Sequence, residues 1–276
     1  MRILVYGYGT MTGAMVEGWL RAGCDPGTIT LYNPRPKVSP DGVRLLTAVP
    51  DERFDMVVLG FKPHMLPAVA PELQGVTPGA VVVSVLAGTT LDTLRENLPQ
   101  AAGWVRMMPN LAAAIGKSPV ALVASALTPE ARATVTQLAD LLGGAEWLDG
   151  EDLFEAVTAL AGSGPAFVYR FIAALADAGE GLGLPADQAR ALALRMVEGA
   201  AALAAGQAVP PAELARRVAS PGGMTEAGLA VLDADDALAK LVTRTLAATR
   251  DRGAAMGAAA GRKDAEPALG EGAGFA

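Results

Sequence analysis

The segment VYGYGTMTGAM, residues 5–15, sets Gly7, Gly9 and Gly13 between an apolar run and a helical pattern. Glycine permits a tight turn and lets backbone N–H groups approach an anion, so this spacing suits a diphosphate at a helix N-terminus. A full G-x-G-x-x-G spacing needs its third glycine at position 12, which is Thr12; Gly13 comes one residue late. Glycines also serve ordinary strand–helix turns. Placement at the very start of a β-α-β pattern is what favours a dinucleotide, with Tyr8, Thr10 and Met11 completing the expected contact loop.

Cofactor choice is written at the end of the second strand, where an acidic residue would accept from a ribose 2′-hydroxyl. LYNPRPK (31–37) has no carboxylate and offers Asn33, Arg35 and Lys37 instead. A forked guanidinium suits a 2′-phosphate, so NADPH is expected, with NADH as the alternative and a plain solvated turn as the bland reading. Phe61, Lys62 and Pro63 stand at a third strand's carboxyl end, where such sheets bind ligands. Leu86, Ala87 and Gly88 stand at a fourth, two of them small enough to clear a flat nicotinamide ring. The single histidine, His64, reads as a surface loop residue without a proton-transfer role.

A second chemistry-bearing stretch comes late. VASPGGMTEAG (218–228) interrupts helical sequence with Pro221, Gly222 and Gly223, then restarts a helix near Thr225. Two glycines free backbone amides to turn toward an anion, and the helix dipole favours negative charge there. A helix-to-helix turn with Thr225 as N-cap fits the spacing equally well. AGSGPAF (161–167) is another glycine-rich helix start, where Gly162, Ser163 and Gly164 allow close approach to a ligand or to a neighbouring helix.

The elements needed to hold these residues follow from patterning. Continuous apolar runs at 2–7, 28–33, 56–61, 80–86, 104–108 and 119–125, with a weak one at 146–148, predict a parallel sheet covered on both faces. Helical patterns between them, such as 12–22, 90–98 and 129–142, make this a doubly wound α/β domain over residues 1–150. Alanine- and leucine-rich stretches at 164–182, 186–205, 211–218 and 225–250 predict an all-α domain over 151–255. Residues 256–276, rich in Gly and Ala, are expected to be disordered.

Composition narrows the classes. A net charge of −7 without basic clusters argues against nucleic acid. One His and one Cys make a zinc site of the usual ligands untenable, so no metal is expected. No uninterrupted apolar run reaches the roughly 20 residues that span a bilayer, and a lone Cys24 fits a reducing compartment. A cytoplasmic protein follows. Hydrophobic residues make up 51% of the chain, which points to apolar surface covered by another subunit, though alanine also inflates that figure.

Several segments together resemble one family over nearly the whole chain: GYGTM (7–11), FKPHML (61–66), VSVLAG (83–88), MPN (108–110), VTALAGSGPAFVY (157–169), ALADAGEGLGLP (174–185) and SPGGMT (220–225). The sequence resembles pyrroline-5-carboxylate reductases. The resemblance implies a Rossmann-like domain followed by a helical dimerisation domain, and NAD(P)H-dependent reduction of a cyclic imine to L-proline. It also implies an active site at the interface of a homodimer, which some members build into rings.

The resemblance further implies that the SPGGMT loop, with Gly222 and Gly223, holds the substrate carboxylate, that Met224 lies beside the substrate, and that Thr225 sits beside the ring nitrogen as the catalytic hydroxyl. Pro109 and Asn110 join the cofactor set by the same comparison, and Ser163 and Glu151 lie near substrate. On local grounds alone, Glu151 reads as a solvated helix start. Thr10, Thr12, Ala161, Met224, Arg216 and Arg217 depart from the family's usual residues. Two alternatives stay open: a related reductase for a different cyclic imino acid, and a non-catalytic NADP-binding protein. β-Hydroxyacid dehydrogenases need a helical lysine as acid–base group, and residues 150–239 contain none.

Overall fold

A computed structural model describes residues 1–260, with side chains to residue 257. Strands β1 (Ile3–Tyr6), β2 (Ile29–Tyr32), β3 (Arg44–Leu46), β4 (Met56–Leu59), β5 (Val81–Ser84), β6 (Gly103–Met108), β7 (Ser118–Ser125) and β8 (Gly143–Trp147) form one sheet in the order 3-2-1-4-5-6-7-8. All neighbours are parallel except β6 and β7, which pair antiparallel from Trp104↔Ser125 to Met108↔Ala121. The turn at that reversal is tied by Asn110, whose N–H donates to Ser118 Oγ at 2.8 Å and whose Oδ1 accepts from Ala112 N at 2.9 Å.

Successive side chains of a strand alternate faces. Ile3 and Val5 therefore join a core with Met15, Val16, Trp19, Val58, Val83 and Leu138, under helices α1 (Thr10–Arg21) and α4 (Pro129–Asp140). Leu4 and Tyr6 join an opposite core with Leu59, Leu66, Leu73, Val82, Leu94 and Trp104, against α2 (Leu66–Leu73) and α3 (Leu91–Asn97). Burial on both faces is why these strands read as unbroken apolar runs. Both core tryptophans satisfy their indole N–H groups on main chain, Trp19 to Leu138 O at 2.9 Å and Trp104 to Leu98 O at 3.1 Å.

After β8 the chain is helical: α5 (Phe154–Val157), a π-helical turn at Thr158–Gly162, then α6 (Gly164–Gly181), α7 (Ala186–Ala205), α8 (Pro211–Val218), α9 (Met224–Asp233) and α10 (Ala237–Ala260). The expected helix over 225–250 is two helices. Asp235 (φ 52) and Asp236 (φ 55) adopt left-handed backbone, which ends one helix before the next begins. Helix α10 also carries regular structure to Ala260, inside the stretch expected to be disordered; residues 261–276 of that expectation lie outside the described residues.

The chain divides into two compact units, one formed by residues 1–162 together with the chain from Thr249, the other by Ser163–Ala248. In the second unit the buried apolar residues among those described are only Ala176, Ala189 and Ala193. Large apolar side chains there stay exposed, including Tyr169, Phe171, Leu192, Met196 and Leu203. The helical stretch 151–181 has an 18-residue window of mean hydropathy 1.3, long and apolar enough to cross a membrane by length and composition.

Candidate functional site

The order β3-β2-β1-β4-β5-β6 reverses direction of growth at β1, and the crevice at the carboxyl ends of β1 and β4 is where doubly wound sheets bind dinucleotides. Gly7 follows β1 with φ 96, and a Cβ there would stand 2.9 Å from the carbonyl carbon of Gly60. The two strand ends thus touch backbone to backbone. Gly9 then takes the N-cap position of α1, and Thr10 and Met11 head the helix with first-turn amides that have no acceptor inside it.

Thr12 explains how the loop closes without a third glycine. Its Oγ1 accepts from Gly9 N at 2.9 Å and donates to Gly7 O at 2.8 Å. The methyl group finds room because residue 60 is glycine: a Cβ at Gly60 would lie 2.2 Å from Thr12 Cγ2 and 2.7 Å from Gly7 O. The close approach that the missing glycine would provide is supplied from the facing strand. Gly60→Ala is accordingly expected to cost roughly 1–3 kcal/mol of stability through overpacking and to weaken NADPH binding. Adding Thr12→Ser, which removes the methyl and keeps the Oγ1 bonds to Gly9 N and Gly7 O, should restore part of both. Thermal melts and NADPH titration of the single and double variants check this.

Tyr6, Gly7, Gly9, Asn33, Arg35, Lys37, Phe61 and Lys62 are brought together around a cleft of about 460 Å³. Asn33 braces its own turn by donating Nδ2 to Arg35 O at 2.7 Å. Lys37, which sequence reasoning left without a role, donates to Tyr8 O at 2.7 Å and straps the β2 turn to the glycine loop. Tyr6 closes the cleft floor, donating to Glu72 Oε2 at 2.8 Å; burial first, and then that carboxylate, hold its hydroxyl well above the usual tyrosine range. A wider depression of about 960 Å³ continues past the loop along Tyr8, Thr10, Gly13 and Leu111, and Gly9 and Lys37 line both. The cations and amides of the cleft, with no acidic residue in the 31–37 segment, fit a phosphorylated dinucleotide.

Leu86, Ala87 and Gly88 follow β5, and Pro109 and Asn110 follow β6, on the same edge of the sheet. Gly88 (φ 71) has a second duty: a Cβ there would come within 2.9 Å of Gly257 Cα in α10. Asn110 donates Nδ2 to Ala161 O at 2.9 Å, so this candidate cofactor residue also holds the π-helical turn. Glu151 Oε1 receives Leu91 N and Arg106 Nη1, each at 2.8 Å. Its partners are internal, and Arg106, which carried no flag in the sequence beyond being a charge in an apolar strand, is the residue that engages it.

In the second unit Ser163 precedes α6 and Gly222–Thr225 lead into α9. Gly222 adopts φ 68. Gly223 is the N-cap, in extended backbone and without a side-chain cap, so Thr225 lies inside the first turn and is not the cap. Gly222 N donates to Glu226 Oε2 at 2.6 Å and Gly223 N to Ser220 O at 2.9 Å, leaving Met224 and Thr225 to present the first-turn amides. Met224 is 95% exposed.

A switch-point crevice with a glycine turn and cationic lining, joined to a helical unit without a core of its own, defines a dinucleotide-binding α/β protein built to pair with another subunit. Two family models match the chain: "NADP oxidoreductase coenzyme F420-dependent" over residues 2–88 and "Pyrroline-5-carboxylate reductase dimerisation" over 151–256. A pyrroline-5-carboxylate reductase from Pseudomonas aeruginosa is 36% identical over 264 residues, covering 92% of this chain and 96% of that one. The solved structure of a pyrroline-5-carboxylate reductase from Coxiella burnetii superposes with a TM-score of 0.82 at 29% identity, over 91% of this chain and 97% of that one. The Plasmodium falciparum enzyme with NADP bound shares the fold, with a TM-score of 0.79 at 23% identity over 93% and 98% of the two chains. The chain belongs to the pyrroline-5-carboxylate reductase family.

Proposed function

We propose that this chain reduces 1-pyrroline-5-carboxylate to L-proline with NADPH, as a cytoplasmic homodimer or ring of dimers. The observation that carries the reading is that relatedness runs through both units, over 92% of the chain, so the front loop and the late glycine hinge come together from one ancestor. The exposed apolar side chains of the second unit agree with the dimerisation model that covers them, and a second copy accounts for the apolar 151–181 stretch better than a bilayer does.

Gly7, Tyr8, Gly9, Thr10 and Met11 would hold the diphosphate, Asn33 and Arg35 the 2′-phosphorylated ribose, and Phe61, Lys62 and Pro63 the face toward β4. Leu86–Gly88, Pro109 and Asn110 would border the nicotinamide. The cofactor supplies a hydride to the imine carbon. On the substrate side, the first-turn amides of Met224 and Thr225, presented by the Gly222–Gly223 turn, receive the carboxylate, Ser163 and Met224 bound the ring, and the Thr225 hydroxyl supports the ring nitrogen as its proton is gained or kept. No histidine is required, because an imine arrives protonated or draws on that hydroxyl and water. Catalysis then rests on orientation and on fixed dipoles.

Loss of NADPH absorbance on adding pyrroline-5-carboxylate, with proline formed in equal amount, tests the reading. NADPH binding without oxidation would favour a non-catalytic binding protein, and oxidation only with a ring-expanded homologue would favour a different imino acid. Arg35→Ser is expected to raise the KM for NADPH by about 10- to 100-fold, the value of one or two charge-assisted hydrogen bonds, while the KM for NADH stays within about twofold. Equal effects on both cofactors would remove Arg35 from the 2′-phosphate.

A further inference from the structure

Arg106 stands in β6 among Trp104, Val105, Met107 and Met108, with 4% of its side chain exposed. Its guanidinium stacks 3.8 Å over the Phe154 ring and divides its fork between two carboxylates, Nη1 to Glu151 Oε1 at 2.8 Å and Nη2 to Glu155 Oε1 at 3.1 Å. The Nε atom is buried without a hydrogen-bond partner. A buried ionic cluster is a costly way to hold a fold that apolar packing would hold as well. What it adds is direction, because a planar fork fixes the carboxylates it meets.

Each carboxylate leads to a segment of interest. Glu151 Oε1 also receives Leu91 N, the first amide of α3, immediately after the 86–90 loop. Glu155 lies on α5, which runs directly into the 158–162 π-helical turn, and the Ala161 carbonyl of that turn is held by Asn110 from the turn that follows β6. Helix α10 closes over the same cluster: a Cβ on Gly253 would sit 2.5 Å from Glu155 Oε2, and one turn on, Gly257 lies against Gly88. One guanidinium therefore fixes the end of β6, the exit of the 86–90 loop and the approach to the 158–162 turn.

We infer that Arg106 is a positioning residue for hydride transfer: through Glu151 and Glu155 it sets the 86–90 loop and the 158–162 turn around the reacting groups without touching them. The inference rests on the reductase reading, which puts Leu86–Gly88 at the nicotinamide and Ser163, the residue that follows the 158–162 turn, at the substrate. The grip on the diphosphate and 2′-phosphate lies at β1, β2 and β4 and is independent of it.

Arg106→Lys keeps the charge and loses the fork. In the full-length protein it is expected to lower kcat by about 10- to 100-fold, the order that a small misplacement of reactants costs. NADPH Kd should stay within about threefold, and the primary isotope effect with 4-deuterated NADPH should rise as hydride transfer becomes limiting. Glu155→Ala should act in the same direction. A purely structural Arg106 would shift the melting temperature and leave kcat and the isotope effect unchanged in the folded protein; that result overturns the inference. Where Arg106→Lys does not fold, Glu155→Ala decides by the same criteria. No oxidation by the unsubstituted protein overturns the reductase reading and this inference with it. Oxidation by that protein with an unaltered Arg106→Lys kcat overturns this inference alone.

Discussion

Thr225→Ala is expected to lower kcat about 100-fold, with NADPH affinity unchanged and Thr225→Ser recovering most of the loss. The magnitude is that of removing one preorganised donor from a site where charge is redistributing. It falls at the lower end of that range because a substrate imine that arrives protonated needs the hydroxyl for alignment more than for a proton. A hydroxyl both donates and accepts, so it can follow the ring nitrogen from iminium to amine. Stability is a small confounder: Gly223 caps α9, so Thr225 carries no capping bond to lose. Steady-state turnover, NADPH titration and a thermal melt on the same preparations decide the matter. Unchanged turnover would remove Thr225 from the mechanism and leave the family assignment intact.

The second large effect concerns association. Leu192, Met196 and Leu203 recur on α7 at spacings of four and seven, one stripe of the helix, and are 57%, 51% and 62% exposed in the single chain. Covering a leucine side chain contributes roughly 1.5–3 kcal/mol. In a two-fold interface every residue contributes twice, and Leu192 and Leu203 have about 60% of their surface left to cover, so Leu192→Asp with Leu203→Asp would forfeit about 3.5–7 kcal/mol, roughly two and a half to five orders of magnitude in dissociation constant. Desolvating the new carboxylates adds to this. Sedimentation velocity is expected to show the mass of a single chain, and turnover should disappear with the dimer while NADPH still binds the front unit. A doubly substituted protein that stays dimeric would mean that α7 faces solvent in the assembly.

Much of this was legible in the sequence. Strands buried on both faces announce themselves as apolar runs, and VVVS at 81–84 or MVVL at 56–59 leave little choice. Arg44–Leu46 was missed because it is a three-residue edge strand with an exposed arginine, and its pairing with β2 is a tertiary fact. The reversal at β6–β7 was hidden for the same reason: strand direction depends on the Asn110–Ser118 tie and leaves no periodicity behind. Asp235 and Asp236 broke a helix that alanine content promised to continue, by backbone geometry that aspartate tolerates without advertising. In the site, the glycines carried their own signal. Thr12 read as a defect because its compensating partner, Gly60, lies 48 positions away. Arg106 had one visible clue, a charge in an apolar strand, which always asks for a buried counterion; its two carboxylates come from a segment that reads as a solvated helix start.

The return of the chain at Thr249 makes the helical unit an insertion, topologically speaking, within the nucleotide-binding one. A ribosome working from the N-terminus thus releases the sheet long before the piece that covers Gly88 and Glu155 exists, and the front unit is finished only after the whole insert has been synthesised. For the same reason no single cut separates the two: a fragment stopping near residue 162 would keep the glycine loop yet bare the very loop where Gly257 should lie.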